Sequence, residues 1–287
     1  MMVRLFVMIL TLLVPLMAGA ADASGKDAST ASPPTFAVIP FYSPEKIWAL
    51  YNPFIKYLRQ STGDTWQLQL FNNHSEFIEG VCSGKVTVAL LGPVPLMKAY
   101  ESCGVKPFLV ALGKDGTPFY RSVVVTNDPA VKNLAGLIGK RIGFFKGSTA
   151  AHVVPLRMLE KAGLKQTDFS PVFLGSQDQI IQRLLSGEID AAGVKENLAG
   201  KFARERLNII AFSEPLPNFA LSAAPSAPGP VMQRLKSALT RLNPSMNKAH
   251  ARLVHGWDEE IRQGFTLPGT AYLSSLQNFN RAIGDAK

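Results

Sequence analysis

The chain has 287 residues, 47% of them hydrophobic, and carries a formal net charge of +9 from 30 basic and 21 acidic residues. Its length and hydrophobic content are sufficient for a core in one or two domains. The positive charge favours anionic partners, but the Lys and Arg residues are scattered without interleaved aromatic residues, so nucleic acid is not a predicted partner.

The first twenty residues have the order of a secretory signal peptide. Arg4 is followed by an apolar run from Leu5 to Met17 and by the small residues 18–20, Ala-Gly-Ala. The run is too short for a comfortable membrane span. We therefore expect a cleaved signal peptide at 1–20, a flexible leader at 21–34 that is rich in Ala, Ser, Asp, Thr and Pro, and a mature protein that is soluble outside the cytoplasm.

The next part of the chain alternates between strand and helix patterns. A short apolar strand, Thr35–Ile39, precedes Ser43, Pro44 and Glu45, which are a cap residue, a first-turn proline and a first-turn acid. The pattern continues with strand Trp66–Phe71, helix His74–Val81, strand Val86–Leu91, helix Pro95–Ser102 and strand Pro107–Leu112. This order predicts a doubly wound, mostly parallel sheet with flanking helices.

A second series follows the strand Tyr120–Thr126. Its predicted strands are Ile142–Phe145, Ser170–Leu174, Ala191–Val194 and Leu207–Phe212, its helices begin near Thr149, Ser176 and Glu196, and helices Val231–Leu242 and Lys248–Gln263 finish the chain. We expect an α/β protein of two lobes, with residues 35–126 in the first, 127–213 in the second, and 214–287 returning to complete the first. Ligands of such open sheets bind at the carboxyl ends of strands, here in a hinged cleft.

One stretch near the middle of the chain carries the functional prediction. The strand Ile142–Phe145 leads into a turn at Gly147 and a helix that begins at Ser148 and Thr149. Hydroxyl oxygens cap helices by accepting hydrogen bonds from N–H groups that have no intrahelical partner. The same N–H groups and the helix dipole attract a tetrahedral oxyanion, and glycine permits close backbone approach. The alternative is an ordinary capped helix that binds nothing.

The chain has two cysteines, Cys82 and Cys103, each near the end of a predicted helix. An oxidising compartment permits a disulfide between them. No second Cys or His pair stands at ligand spacing, so no metal site is predicted.

A series of short motifs spans the chain from about Phe36 to Pro228. In order they are Ile39-Pro40, Gly80-Val81-Cys82-Ser83-Gly84, Leu91-Gly92-Pro93, Tyr120-Arg121-Ser122, Gly147-Ser148-Thr149, His152-Val153-Val154-Pro155, Gly175-Ser176-Gln177-Asp178, Ser186-Gly187-Glu188 and Glu214-Pro215-Leu216-Pro217. With these motifs the chain resembles the phosphate, phosphite and phosphonate substrate-binding proteins of ABC importers. The resemblance implies a type II periplasmic binding protein fold with the ligand between two lobes.

The family pattern at the anion site resembles Ser-Thr-Ser-Gly at a helix start, where hydroxyl and backbone N–H groups hold phosphoryl oxygens. Ser148 and Thr149 match it, while Ala150 and Ala151 stand at the third and fourth positions. One side-chain donor is lost there, but its backbone N–H remains. Gln177, a neutral donor, stands where the family often has His.

His74 stands where the family often has an aromatic ligand residue. If it faces the cleft, its protonation adds positive charge, and affinity for an anion falls as pH rises through about 6.5. The alternative is a surface histidine in a helix cap.

The resemblance adds four further ligand candidates. Gly92 lies in a matching motif, as does Tyr120, for which hinge packing is the alternative, and Glu196 aligns with a family acid to within one residue. The family carboxylate after the Pro-Leu-x-Pro segment falls at Asn218 or Phe219, so it is absent here. Its absence argues against an aminoalkylphosphonate and favours a smaller oxyanion, or a non-amino organophosphorus or sulfur compound.

The expected function is capture of a small oxyanion and its delivery to an ABC importer, with the membrane permease as partner, no cofactor and a monomeric state. An alternative is a sensing protein that docks on a sensor kinase or chemoreceptor. A phosphoryl-transfer enzyme is a third, less favoured hypothesis, because no nucleophile with its base and no metal cluster occurs at suitable spacing.

Overall fold

The structure, a computed structural model, describes residues 32–202 and 207–284. The predicted signal peptide and most of the predicted leader, residues 1–31, lie outside the described residues. None of the described helices combines the length and apolar composition that a membrane crossing requires.

The described strands, numbered in chain order, are β1 (Thr35–Val38), β2 (Gln67–Gln69), β3 (Val88–Leu91), β4 (Lys106–Ala111), β5 (Phe119–Tyr120), β6 (Ser122–Thr126), β7 (Arg141–Phe145), β8 (Ser170–Leu174), β9 (Ala191–Lys195), β10 (Asn208–Phe212), β11 (Leu216–Pro217), β12 (Ala220–Ala223) and β13 (Phe265–Thr266). The described α-helices are α1 (Pro44–Thr62), α2 (His74–Cys82), α3 (Pro93–Cys103), α4 (Val154–Lys161), α5 (Gln177–Leu185), α6 (Glu196–Lys201), α7 (Gly229–Thr240), α8 (Lys248–Val254) and α9 (Thr270–Gly284). Two 3₁₀ turns, Leu134–Leu137 and Gln166–Asp168, connect elements of the second series.

The first sheet has six strands in the order β13-β4-β12-β3-β1-β2. Strand β1 pairs in parallel with β2 and β3, as the β-α-β pattern predicted. Strand β12, which arrives from the return part of the chain, lies antiparallel between β3 and β4. The α/β class is therefore confirmed. Both sheets are mixed, because β12 and β13 run against the other strands of the first sheet and β6 runs against those of the second.

The second sheet has five strands in the order β10-β6-β9-β7-β8. Here the prediction that residues 35–126 all belong to the first lobe is wrong for Ser122–Thr126. This strand, β6, pairs antiparallel with β9 and β10 of the second sheet. The predicted strand 120–126 is interrupted at Arg121, and its first part, β5, pairs with β11 in a separate two-stranded ribbon. The remaining lobe boundaries stay a prediction.

Helix α1 shows how local sequence sets an element's ends. The Ser43 side chain accepts a hydrogen bond from the N–H of Lys46, and the helix ends at Gly63, which has a φ of 75°. It runs without interruption through Pro53, although proline lacks the N–H that would bond to the preceding turn. Its buried face includes Phe54, whose ring centroid lies 5.0 Å from that of Trp257.

The helix predicted over Lys248–Gln263 is shorter, because α8 ends at Val254. Beyond it the chain turns inward, and the Asp258 carboxylate accepts a hydrogen bond from the N–H of Glu260 at 3.0 Å. Such a side-chain bond to the local backbone competes with helix continuation. The chain then adds β13 and α9, a final helix that the sequence patterns did not predict.

The helix expected at Thr149 begins as a π-helical turn, Thr149–Val153, before α4 continues it. The N–H of Val153 bonds to the carbonyl of Ser148, five residues earlier, at 3.0 Å. Pro155 has no N–H to donate to the carbonyl of Ala150, five residues earlier, and the Ser122 hydroxyl donates to that carbonyl instead, at 2.7 Å. π-turns are rare and concentrate at functional sites.

Candidate functional site

The carboxyl ends of strands from both sheets meet at one small cavity, called the anion cavity below. Ile39 follows β1, Gly92 follows β3, Ser148 follows β7 after a short turn, and Gln177 follows β8. Its full lining is Ile39, Phe41, His74, Gly92, Pro95, Tyr120, Phe145, Ser148, Thr149, Ala150, Gln177 and Phe219. This is the position at which open α/β sheets bind ligands.

The anion cavity is small. The centre of a water-sized sphere can occupy about 20 Å³ of it. Adding the water radius of about 1.4 Å on each side gives a space roughly 6 Å across. A tetrahedral oxyanion with one small substituent fills a space of that size.

The Gly147–Ser148 turn directs backbone donors at the cavity. Gly147 has a φ of +81°, and a Cβ built on it would lie 3.2 Å from Nδ1 of His74, so both conformation and space favour glycine. The Ser148 hydroxyl accepts a bond from the N–H of Ala151 at 3.2 Å. Among the described residues, the N–H groups of Thr149 and Ala150 take part in no hydrogen bond. They are the free donors at the positive end of the helix.

Three side chains bring buried polar atoms without a partner to the same cavity. Nε2 of His74, the hydroxyl of Tyr120 and Oε1 of Gln177 are each buried and have no hydrogen-bond partner within the described part of the protein. All three residues line the cavity. A buried polar atom without a partner costs about 1–3 kcal/mol, so three of them around one space indicate a site built for a polar ligand.

These side chains are neutral at physiological pH. Burial, and secondarily the charge of Lys98, lower the pKa of His74 to about 4. Burial raises the pKa of the Tyr120 hydroxyl well above its usual range. The expectation that His74 titrates near pH 6.5 is therefore wrong for the free protein, because removal of the ring from water disfavours its charged form.

Thr149 has a different role from the hydroxyl donor that the sequence suggested. Its Oγ1 accepts a hydrogen bond from the N–H of Val94, at the start of α3, at 3.0 Å. Two helix N-termini, one beside each sheet, are thus joined directly at the cavity. The Thr149 O–H retains its hydrogen for one further acceptor.

Other contacts hold the two sides together around the cavity. The N–H of Gln177 donates to the carbonyl of Phe41 at 3.3 Å. The Lys46 ammonium lies 2.6 Å from the Asp178 carboxylate, in a pair that remains partly exposed. These contacts, with the Val94–Thr149 bond, show the lobes in a closed arrangement.

Seven of the ten predicted ligand residues line the anion cavity: Ser148, Thr149, Ala150, Gln177, His74, Gly92 and Tyr120. The other three do not. Ala151 is buried beneath the turn with its N–H on Ser148. The Glu196 carboxylate accepts a bond from the N–H of Arg121 at 3.2 Å, and Asn218 is buried behind the cavity wall.

Sequence reasoning missed the apolar part of the lining, which consists of Ile39, Phe41, Pro95, Phe145 and Phe219. Phe145 ends a predicted strand immediately before the glycine turn, and Phe219 is one of the two positions at which the absent family carboxylate would fall. Both signals were readable, but an apolar residue at a strand end more often belongs to a core.

It also missed a buried ion pair behind this lining. Lys195 ends β9, and its ammonium donates to the Glu260 carboxylate and to Oδ1 of Asn218, the latter at 3.0 Å. The side chains of Lys195 and Glu260 are both 7% exposed. The ammonium lies over two aromatic rings of the cavity lining, 4.3 Å from the ring centroid of Tyr120 and 4.7 Å from that of Phe219.

The two sulfur atoms of Cys82 and Cys103 are joined in a disulfide, with the Cα atoms 5.6 Å apart. The bridge links the last residues of α2 and α3. The opposite ends of these helices carry His74 and Gly92, so the disulfide fixes two cavity-lining elements relative to one another.

Two larger cavities lie elsewhere in the described part of the chain. One, of about 470 Å³, lies between α4, residues 211–217 and α9 and has none of the three unpartnered atoms named above in its lining. The other, of about 380 Å³, adjoins the anion cavity and shares Tyr120 with it. Volume alone therefore does not identify the site. The anion cavity is distinguished by three residues with unpaired buried polar atoms together with the free N–H groups of Thr149 and Ala150.

Two lobes that enclose a small polar cavity at strand ends, with two helix N-termini directed at it, define a solute-binding protein for an anion. A sequence profile described as "ABC transporter, phosphonate, periplasmic substrate-binding protein" matches residues 36–266. The chain belongs to this family.

Curated relatives and solved structures agree with this assignment. The chain is 27% identical over 206 residues to the "Phosphate-import protein PhnD" of Mycolicibacterium smegmatis, covering 66% of this chain and 64% of that protein. It is 24% identical over 164 residues to the "Phosphonates-binding periplasmic protein" of Escherichia coli, covering 55% of this chain and 48% of that protein. The matched region thus spans about half to two thirds of these relatives' lengths.

The fold is shared with the structure of PhnD1 from Prochlorococcus marinus in complex with methylphosphonate, with a TM-score of 0.74 and 18% identity, covering 88% of this chain and 97% of that one. A binding protein component of an ABC phosphonate transporter from Pseudomonas aeruginosa gives a TM-score of 0.73 at 18% identity, covering 89% of each chain. At these identities the likeness is one of fold.

Proposed function

We propose that this chain is a periplasmic solute-binding protein that captures a small tetrahedral oxyanion of the phosphonate, phosphite or phosphate class and delivers it to an ABC importer. The observation that carries the proposal is the set of three unpartnered buried polar atoms around a cavity of oxyanion size. Family membership and the printed functions of the two curated relatives support it.

In this proposal the anion receives hydrogen bonds from the backbone N–H groups of Thr149 and Ala150 and from neutral side-chain donors. Hydrogen bonds to a charged group contribute about 1.5–3 kcal/mol each. The Tyr120 hydroxyl and Nε2 of His74 are placed to supply two of them. A neutral donor set suits an anion because it avoids burying a further charge without its partner.

Gln177 determines which oxyanions we expect the site to bind most tightly. Its Oε1 faces the cavity as a buried acceptor without a partner. Phosphonates and phosphite keep an acidic proton near neutral pH and can donate to it, whereas sulfate and sulfonates cannot. We therefore expect a phosphonate to bind more tightly than the sulfonate of the same shape.

Capture follows from closure of the lobes. Ligand binding stabilises a closed form only through contacts absent from the open one. The Val94–Thr149 bond, the Gln177–Phe41 bond and the ligand's own contacts with both sides supply them. The closed protein is then the form presented to a membrane permease, in the periplasm where an N-terminal signal peptide would direct it.

A binding panel tests the proposal. The purified mature protein is titrated with methylphosphonate, phosphite, phosphate, sulfate and methanesulfonate, using calorimetry and thermal denaturation. A ligand at a hundred times its dissociation constant stabilises the folded state by about 2.7 kcal/mol, which raises Tm by roughly 5–10 °C for a protein of this size. We expect methylphosphonate or phosphite to rank above methanesulfonate and sulfate. If none of the five anions binds, the proposed function is wrong.

A further inference from the structure

The wall between the anion cavity and its larger neighbour is one side chain thick. The neighbour, called the side cavity below, has a volume of about 380 Å³ and is lined by Lys195, Asn218 and Glu260 among others. Tyr120 lines both cavities. A ligand substituent that extends from the anion cavity toward this neighbour has to pass this wall.

The Lys195 side chain fixes the wall in place. Its ammonium lies over the rings of Tyr120 and Phe219, at 4.3 and 4.7 Å from the ring centroids, and these rings form the wall on the anion-cavity side. The Tyr120 ring also packs against Ala150, Val154 and Leu216. The Lys195 side chain covers the ring on the side of the larger cavity and so supports it there.

The ammonium is itself held rigidly. Glu260 and Oδ1 of Asn218 accept its hydrogen bonds. Asn218 is fixed in turn, because its Nδ2 donates to the carbonyl of Ala111 at 3.0 Å and its own carbonyl accepts from the hydroxyl of Tyr272 at 3.0 Å. All of these side chains are buried. A wall supported in this way does not yield to a ligand without loss of several bonds.

We propose that Lys195 is a positioning residue that sets ligand specificity: through Tyr120 and Phe219 it closes the anion cavity and restricts the ligand to anions with a small, uncharged substituent. The inference rests on the proposed function. A longer substituent meets the wall, and a substituent with an ammonium group also meets the Lys195 ammonium, which already occupies the Glu260 carboxylate. The partner that a cationic substituent needs is present in the protein but is taken by the protein's own lysine.

Two ligands of equal length distinguish the effect of substituent size on affinity from the effect of substituent charge. Propylphosphonate and 2-aminoethylphosphonate have the same number of non-hydrogen atoms in the substituent, and methylphosphonate is the short reference. A misfit of one or two methylene groups in an apolar site changes affinity roughly 10–200-fold. We expect the wild-type protein to bind both long ligands at least about tenfold more weakly than methylphosphonate.

Three variants complete the experiment, each titrated by calorimetry. In K195A/E260Q the support behind the wall is removed without leaving an unpaired charge, so the two rings can move aside. We expect the affinity for propylphosphonate to rise at least about tenfold relative to that for methylphosphonate. In K195A the Glu260 carboxylate is free to pair with the ammonium group of 2-aminoethylphosphonate, so the affinity for this ligand rises instead. K195M/E260Q is the matched control, because the methionine keeps a side chain of similar length behind the two rings. We expect the affinity for neither long ligand to rise. A structural role alone would weaken all ligands and would not increase affinity for any.

The outcomes separate the two proposals. A wild-type protein that binds methylphosphonate and propylphosphonate equally overturns the role of Lys195, without need of any variant. So does an unchanged ligand order in K195A and K195A/E260Q. A wild-type protein that binds none of the small anions of the panel overturns the proposed function, and this inference with it.

Discussion

Replacement of Tyr120 by Phe should stabilise the free protein while weakening ligand binding. The substitution removes only the hydroxyl, which is buried and has no hydrogen-bond partner in the described part of the protein. Relief of an unsatisfied buried hydroxyl is worth about 1–3 kcal/mol, and a protein of this size gains about 2–4 °C in Tm per kcal/mol. We therefore expect Tm of the free protein to rise by about 2–12 °C.

Binding should change in the opposite direction. If the hydroxyl donates to the bound anion, its loss costs about 1.5–3 kcal/mol, a decrease in affinity of roughly 10–150-fold. Thermal denaturation without ligand and calorimetric titration with methylphosphonate measure the two effects on the same sample. Opposite signs for stability and affinity characterise a residue kept for function at a cost in stability.

Tyr51 offers a matched control for the same chemical change. It is fully buried, and its hydroxyl donates to the Asp258 carboxylate at 3.2 Å. Burial, then the neighbouring Glu260 carboxylate, raise the pKa of Asp258 to about 6, so the comparison is made at about pH 7.5, where this carboxylate is ionised. Tyr51→Phe should lower Tm and leave the affinity for methylphosphonate unchanged. The reasoning fails if Tyr120→Phe also lowers Tm, or if it leaves the affinity at the wild-type value.

Three further predictions follow from the same structure. Replacing Cys82 and Cys103 by Ser should lower the free energy of unfolding in urea by about 3 kcal/mol, the entropy of a loop closed over a separation of 21 residues. Burial, then the charge of Lys98, lower the pKa of His74 to about 4. As pH falls from about 6.5 to 4, the unfolded chain takes up the proton before the folded protein does. The free energy of unfolding of the wild type should therefore fall by up to about 3 kcal/mol relative to that of His74→Gln. Gly147→Ala should destabilise the protein by about 1–2 kcal/mol, measured as Tm, and weaken methylphosphonate at least about tenfold, because it strains a φ of +81° and brings a Cβ to 3.2 Å from His74.

Each of these has a contrary result. If the protein without the disulfide unfolds at the same urea concentration as the wild type, the disulfide does not stabilise the arrangement of α2 and α3. A stability difference between wild type and His74→Gln that stays constant from pH 7 to 4 would mean that His74 is not buried in its neutral form. Wild-type affinity in Gly147→Ala would show that the turn does not approach the ligand.

The sequence predicted those parts of the site that depend on local chemistry. The Ser148 cap, the turn at Gly147 and the start of α5 at Gln177 follow from short-range signals, and the structure brings them to one cavity. Family resemblance placed His74 and Tyr120 beside them. Local rules succeed here because caps and tight turns satisfy backbone groups within a few residues.

Features that depend on distant pairing could not be predicted in this way. Lys195 and Glu260 are 65 residues apart, and the latter lies in a segment that periodicity assigned to a helix. Within the π-helical turn, the carbonyl of Ala150 accepts a hydrogen bond from the hydroxyl of Ser122, a residue of a distant strand. Membership of β6 in the second sheet likewise follows from its partners and not from its own pattern. Tertiary context decided all three.

The central claim is that a small oxyanion is held by the unpaired amides at the start of the helix that begins at Thr149. Amide NMR spectra of the ¹⁵N-labelled mature protein, recorded during a methylphosphonate titration, test it directly. The account predicts that the amide protons of Thr149 and Ala150 move downfield more than those of other residues, as new hydrogen bonds to the anion form. It is contradicted if these two amides stay in place, or if the largest changes occur at the cavity between α4 and α9.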